Sequence, residues 1–184
     1  MVIETPKYEV LEKSRNIDIR QYQGYIQAEA EVSGQNYRTA IETGFNILAG
    51  YIFGNNTSRK KIDMTAPVKT SVSEKISMTS PVKISGKDKY KVAFIMPSRY
   101  SMDELPFPDD KRIRFRKILP QKMAAIRFSG FFNEKRISES IVKLENYVNQ
   151  EKIDTEGEYI IAGYNPPWIP GFLSRNEVMI KIRE

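Results

Sequence analysis

Ile17 and Ile19 alternate with Asp18 and Arg20, Gln23-Gly24 makes a turn, and Ile26, Ala28, Ala30 and Val32 then alternate with Gln27, Glu29 and Glu31. Successive strand side chains point to opposite faces, so this period of two predicts a hairpin with one wet face. Ser33-Gly34 breaks the run and the period becomes helical. Tyr37, Ile41, Phe45, Leu48 and Ile52 fall on one stripe, which Gly54-Asn55-Asn56 stops. Strands over 61–65 and 90–96 follow.

One constant offset carries this pattern onto the second half of the chain. Ile17 and Ile19 land on Ile113 and Phe115; Ala28, Ala30 and Val32 land on Ala124, Ile126 and Phe128; Ser33-Gly34 lands on Ser129-Gly130. In the helix, Ile41, Phe45, Leu48 and Ile52 land on Ile137, Ile141, Leu144 and Val148, and strands over 158–164 and 176–182 follow. A shared offset through strands, break and helix predicts a duplicated β-β-α-β-β unit. The expected fold is α+β, a twisted antiparallel sheet or distorted barrel of about eight strands flanked by two helices. A single domain over 1–184 is expected, with internal halves at about 8–96 and 113–182 and a connection at 97–112. Within the first half, Thr-x-Pro-Val occurs at 65–68 and again at 79–82, which reads as two stiff edge segments around a polar turn.

Composition narrows the chemistry. Of 184 residues 40% are apolar and 28% charged, the profile of a soluble globular chain. No run approaches the length needed to span a bilayer and the start lacks a signal-like apolar stretch, so a cytoplasmic protein is expected. The net charge of +6 raises nucleic acid as a partner. However, Arg112, Arg114 and Arg116 alternate opposite Ile113 and Phe115 as a solvated face would, and no nucleic-acid partner is expected. The chain has neither cysteine nor histidine. This removes disulfides, thiolate ligands, a Ser-His-Asp arrangement and the usual general base near neutral pH. No phosphate loop or dinucleotide fingerprint is present, and the glycines at 50 and 54 end a helix instead of opening one. Glu42 on the first helix and Glu177 are candidate functional carboxyls, or equally members of ion pairs. No enzyme is expected.

A binding role remains. The run from Gly163 to Val178 gathers Tyr164, Pro166-Pro167, Trp168, Pro170 and Phe172, too broken for helix and too apolar for an idle loop. Phe45, Leu48, Ile52, Met64, Met78, Tyr164, Trp168 and Phe172 are candidate linings of an apolar cleft at the seam between the halves, near the first helix; each also fits a core position.

Lys-Ile-x-Met-Thr-x-Pro-Val, Val92-Ala93-Phe94-Ile95-Met96-Pro97-Ser98, Leu105-Pro106-x-Pro108-x-Asp110, Ile126-Arg127-Phe128-Ser129-Gly130 and Tyr164-Asn165-Pro166-Pro167-Trp168 through Arg175-Asn176-Glu177-Val178 occur in this order from about Tyr8 to Ile182. Together they resemble the SOUL haem-binding protein family. The resemblance implies a twisted barrel with two flanking helices, shared with gyrase-inhibitor-like effector-binding domains, and binding of haem or another tetrapyrrole. With no histidine or cysteine to ligate iron, Tyr51, Met64 and Met78 are the nearest axial candidates. Arg38 is the basic residue of the first helix; with Glu42, Arg175 and Glu177 it completes the expected ligand-binding set. The expected protein is a monomer that holds a small hydrophobic or tetrapyrrole ligand without catalysis. The alternative is an effector-type domain for small hydrophobic or cationic molecules.

Overall fold

A computed structural model describes residues 5–33, 37–58, 61–62, 68–72, 89–130, 133–164 and 174–184. The elements in order are β1 (Tyr8–Ser14), β2 (Ile17–Tyr22), β3 (Tyr25–Ser33), α1 (Tyr37–Ile52), β4 (Val68–Val72), β5 (Lys89–Ile95), a short 3-10 turn (Met102–Glu104), β6 (Ile113–Ile118), β7 (Gln121–Phe128), α2 (Glu134–Gln150), β8 (Thr155–Gly163) and β9 (Asn176–Ile182). They form one antiparallel sheet of nine strands in the order β1-β2-β7-β9-β8-β4-β5-β3-β6.

The order corrects the expected hairpin. β2 and β3 are joined by a tight link at Gln23-Gly24 but do not pair: β2 lies between β1 and β7, and β3 between β5 and β6. β6 and β7 are likewise joined at Leu119-Pro120 while lying far apart in the sheet. Such links span roughly 10 Å at most, so the sheet has to curl to bring its distant strands together. The result is a curled half-barrel. Exchanging β2 with β6, β3 with β7, β4 with β8 and β5 with β9 reproduces the same pairing order, with β1 left over. This is a correspondence of topology and is no test of descent.

β1 raises the strand count above the expected eight. It is an edge strand whose residues are exposed after Tyr8, so it has no alternation to read. A strand expected over 61–65 is absent at Lys61 and Ile62, while 63–67 lie outside the described residues; β4 begins at Val68. The repeat of Thr-x-Pro-Val at 79–82 lies outside them too.

Both helices cover one face of the sheet. α1 packs Leu48, Tyr51 and Ile52 against Ala28, Ala30, Val92 and Phe94. α2 packs Ile137, Ile141, Leu144 and Val148 against Ala124, Ile126, Val178 and Ile180. The facing pair Thr70↔Ile161 joins the two halves on this side, and Thr70 shares a 3.0 Å hydrogen bond with the Tyr37 hydroxyl of α1. Alanines under the helices let them sit close. α1 ends where Gly54 takes φ 117° and the Asn56 amide donates to Tyr51 O at 3.1 Å. α2 starts where the Asn133 side chain accepts from Arg136 N at 3.0 Å. Among the described residues no helix is long and apolar enough to cross a membrane.

Gly44 sets the distance between α1 and β5. A methyl group there would lie 2.4 Å from Val92 Cγ2 and 2.9 Å from Val92 Cβ, and Val92 is fully buried and β-branched, so it has no free rotamer to retreat into. Alanine gains about 1 kcal/mol of helix propensity, whereas overpacking costs about 1–3 kcal/mol. Gly44→Ala is expected to lower stability by about 1 kcal/mol net, seen as a fall in the thermal midpoint; an unchanged or higher midpoint would show that α1 shifts freely.

Candidate functional site: the open face of the sheet

Alternation that sends Ala28, Val92, Ala124 and Val178 towards the helices sends their neighbours to the opposite, concave face. There the curl encloses a groove of about 500 Å³ lined from β3 to β9, within the range of small-molecule sites. Its apolar lining comes from Ala93, Ile118, Met123 and Ile160 and the ring of Tyr25; its charges are Glu29, Lys69, Lys91, Arg116, Glu156, Glu158 and Lys181.

These charges are unequally matched. Glu29 accepts from the Gln27 amide at 2.6 Å and pairs with Arg116 at 3.5 Å. Glu156 pairs with Lys181 at 2.5 Å and with Arg183 at 3.5 Å. Lys69 and Lys91 have no carboxylate partner among the described residues. Lys69 is 6% exposed. Its Nζ donates to the Tyr25 hydroxyl and lies 4.4 Å from that ring's centroid. Burial without a counter-charge lowers its pKa to about 7. Burial raises the Tyr25 hydroxyl, so it stays protonated.

Beside the groove, Glu177 anchors a second cluster. Its carboxylate is fully buried and takes Arg20 in a bidentate pair, Nη1 to Oε2 at 2.7 Å and Nη2 to Oε1 at 3.0 Å. Arg175 reaches Oε1 through Nη2 at 2.9 Å and Nε at 3.1 Å, and the Tyr164 hydroxyl donates to Oε2 at 2.8 Å. Arg20 is also held by Asp18 at 2.7 Å and lies 4.6 Å from the Tyr8 ring; Arg175 stacks 4.1 Å from the Tyr164 ring. Burial opposes the charge on Glu177, but the two arginines and Tyr164 outweigh it and hold the carboxyl below the usual range. The cluster ties β2 to β9 as a closed network.

The residues singled out from the sequence therefore separate. Tyr164, Arg175 and Glu177 meet in this cluster. Leu48, Tyr51 and Ile52 are at most 1% exposed inside the α1 core, on the far side of the sheet from the groove. The Tyr51 hydroxyl donates to Pro106 O at 2.9 Å, and burial raises its pKa, which disfavours the phenolate that would ligate iron. Phe45 packs edge-on to Phe94 at 5.2 Å. Arg38 and Glu42 pair at 3.0 Å on the exposed side of α1. Met64, Met78, Trp168 and Phe172 lie outside the described residues. The groove residues Tyr25, Lys69, Lys91, Met123 and Lys181 do not stand out in the sequence; their one signal is the wet side of each alternating strand.

Comparison with known proteins places this architecture. The family description SOUL heme-binding protein matches residues 3–181. The chain belongs to the SOUL family. This SOUL protein is 27% identical over 170 residues to Heme-binding protein 2 of Homo sapiens, covering 90% of this chain and 80% of the relative. Its fold resembles the EcmrR C-terminal domain, with a TM-score of 0.68 and 11% identity over 96% of this chain and 98% of that one. It also resembles a Listeria innocua protein described as a hydrolase, with a TM-score of 0.62 and 9% identity over 92% of each chain. At these identities the likeness to the two structures is one of fold. The SOUL fold here thus carries two distinct polar features on its concave face, a groove whose Lys69 and Lys91 have no carboxylate partner among the described residues and an ion cluster around Glu177.

Proposed function

We propose that this SOUL protein is a non-catalytic binder of haem or a related carboxylate-bearing tetrapyrrole, held in the concave groove. The observation that carries the reading is the pairing of apolar lining with Lys69 and Lys91, which lack carboxylate partners among the described residues. A tetrapyrrole presents the complement: a planar apolar ring and peripheral carboxylates. Met123, Ile160, Ala93 and the Tyr25 ring would take the ring face, and Lys91 with Lys69 the carboxylates. These residues fit the periphery of the group. With no histidine or cysteine in the chain, the grip is expected to reside in that periphery. In this reading the protein is a monomer of the cytoplasm and takes no nucleic acid.

The alternative for cationic molecules needs an anionic partner. Both carboxyls considered for it are engaged, Glu42 by Arg38 on an exposed surface and Glu177 by three arginines and Tyr164. The geometry therefore favours an anionic ligand.

Titration with hemin and with iron-free protoporphyrin IX, followed by absorbance, tests the proposal. Both are expected to bind with affinities within about tenfold, since a charge-assisted contact of about 1.5–3 kcal/mol does not involve the metal. Lys91→Met is expected to weaken both by about 10- to 100-fold. A bound carboxylate favours the charged form of Lys69, so binding takes up a proton; affinity should rise as pH falls through about 7 and weaken above it. No saturable change at micromolar protein, or full affinity in Lys91→Met, would remove the groove as the site.

A further inference from the structure

We infer that Lys69 is a carbonyl-capturing amine, which holds aromatic aldehydes bearing an acidic group as imines on the wall of the groove. The inference goes beyond tetrapyrrole binding and does not depend on it. An amine adds to an aldehyde only when its nitrogen is uncharged, reachable and close to groups that can pass protons. The structure brings these conditions together at one residue.

Lys69 lies on β4 at the junction of the two halves, paired with Ala162 of β8 on one side and Ala93 of β5 on the other. Of these, Ala93 lines the groove together with Lys69. Its Nζ meets the ring and hydroxyl of Tyr25 rather than a carboxylate. The charged groups lining the groove do not replace that missing counter-ion: Glu29 is held by Gln27 and Arg116, and Glu156 by Lys181 and Arg183. Glu158 at the rim is partly exposed and no ion pair joins it to Lys69 among the described residues. Burial of the side chain in this setting disfavours the ammonium. The amine is therefore half uncharged near pH 7, where about one in several thousand ordinary lysines is.

The step balances without any further reagent. Nζ attacks the carbonyl carbon and forms the C–N bond. The carbonyl oxygen takes up two protons in all and leaves as water, while the nitrogen gives up the two it held. Tyr25, which burial keeps protonated and which already contacts Nζ, is the positioning group for that transfer. Lys91 is placed to pair the acidic group, and Met123 and Ile160 to cover the ring.

The test uses 4-carboxybenzaldehyde and sodium cyanoborohydride with the intact protein at pH 7, followed by peptide mass mapping. Reduction freezes an imine as a stable secondary amine. The expected result is labelling of Lys69 at least about tenfold ahead of exposed lysines such as Lys111, allowing for slower entry to a buried site against a roughly thousandfold advantage in free amine. The preference should disappear in urea. Mapping on the unsubstituted chain is decisive whether or not variants fold, and Lys69→Arg should lose the selective adduct. Labelling spread over surface lysines, or a preferred adduct at Lys91, would overturn the inference. Because no tetrapyrrole enters the assay, its outcome is independent of the hemin titration.

Discussion

Glu177→Gln is expected to cost about 3–5 kcal/mol of stability at pH 7, measured by urea denaturation. Arg20 is fully buried and its guanidinium is paired by Glu177 and Asp18. Glutamine keeps the shape of the side chain and removes the charge, so the loss reports an ionic group left in a low-dielectric site, not a cavity. The pair as a whole contributes far less than either deletion suggests, because burying both ions costs several kcal/mol. Arg20→Met combined with Glu177→Leu should therefore recover part of the loss, the remainder reflecting Asp18 and Arg175, which lose their partners in the cluster. The pH dependence has a definite sign. The folded-state pKa of Glu177 lies below its ordinary value, so its contribution is present above the ordinary carboxyl range and is lost as pH falls through the folded value. The gap between Glu177→Gln and the unsubstituted protein should narrow in acid. A loss below about 1 kcal/mol at pH 7 would mean that water or Asp18 replaces the carboxylate, and the cluster would not be a closed structural network.

Leu48→Ala is expected to remove about 2–5 kcal/mol of stability while leaving hemin affinity within about threefold. Leu48 is fully buried among the residues that α1 packs on β3 and β5. Truncation there leaves a cavity that the strands below cannot close without breaking their ladder. The groove lies on the other face of those strands, so the same change should not reach a ligand there. A fall of tenfold or more in affinity, with the folded fraction held constant, would return the ligand to a cleft beside the first helix. The two readouts thus separate a core residue from a pocket residue, a distinction that periodicity cannot make.

Much of the scaffold was legible because its signals are local. The stripe of Tyr37, Leu48 and Ile52 marks α1, the end at Gly54 is visible, and the strand expected over 176–182 is β9. The family motifs pointed to SOUL, and the match over 3–181 bears that out. Strand pairing was less accessible. Gln23-Gly24 reads as a hairpin turn, yet the strands it joins take different neighbours: β2 pairs with β7 and β3 with β5, contacts between segments distant along the chain. Edge strand β1 gave no alternation, since neither of its faces is buried beyond Tyr8.

The candidate site shows the same limit more sharply. Lys69 occupies the polar side of an alternating strand, and nothing along the chain distinguishes it from the exposed Lys111; Glu177 stood out in the sequence only as Glu42 did, although Glu42 lies on an exposed surface. Depth made the difference: β2 brings Arg20 against Glu177, whereas among the described residues Lys69 meets a tyrosine and no carboxylate.

The order of residues by itself determined which side of the helices and of the alternating strands is apolar, because helix and strand periods are properties of a few neighbouring peptide units. Only the tertiary structure decided what the other side became. Curling the sheet turned a row of polar side chains into a concave wall, and there charge depends on partners contributed by strands distant along the chain.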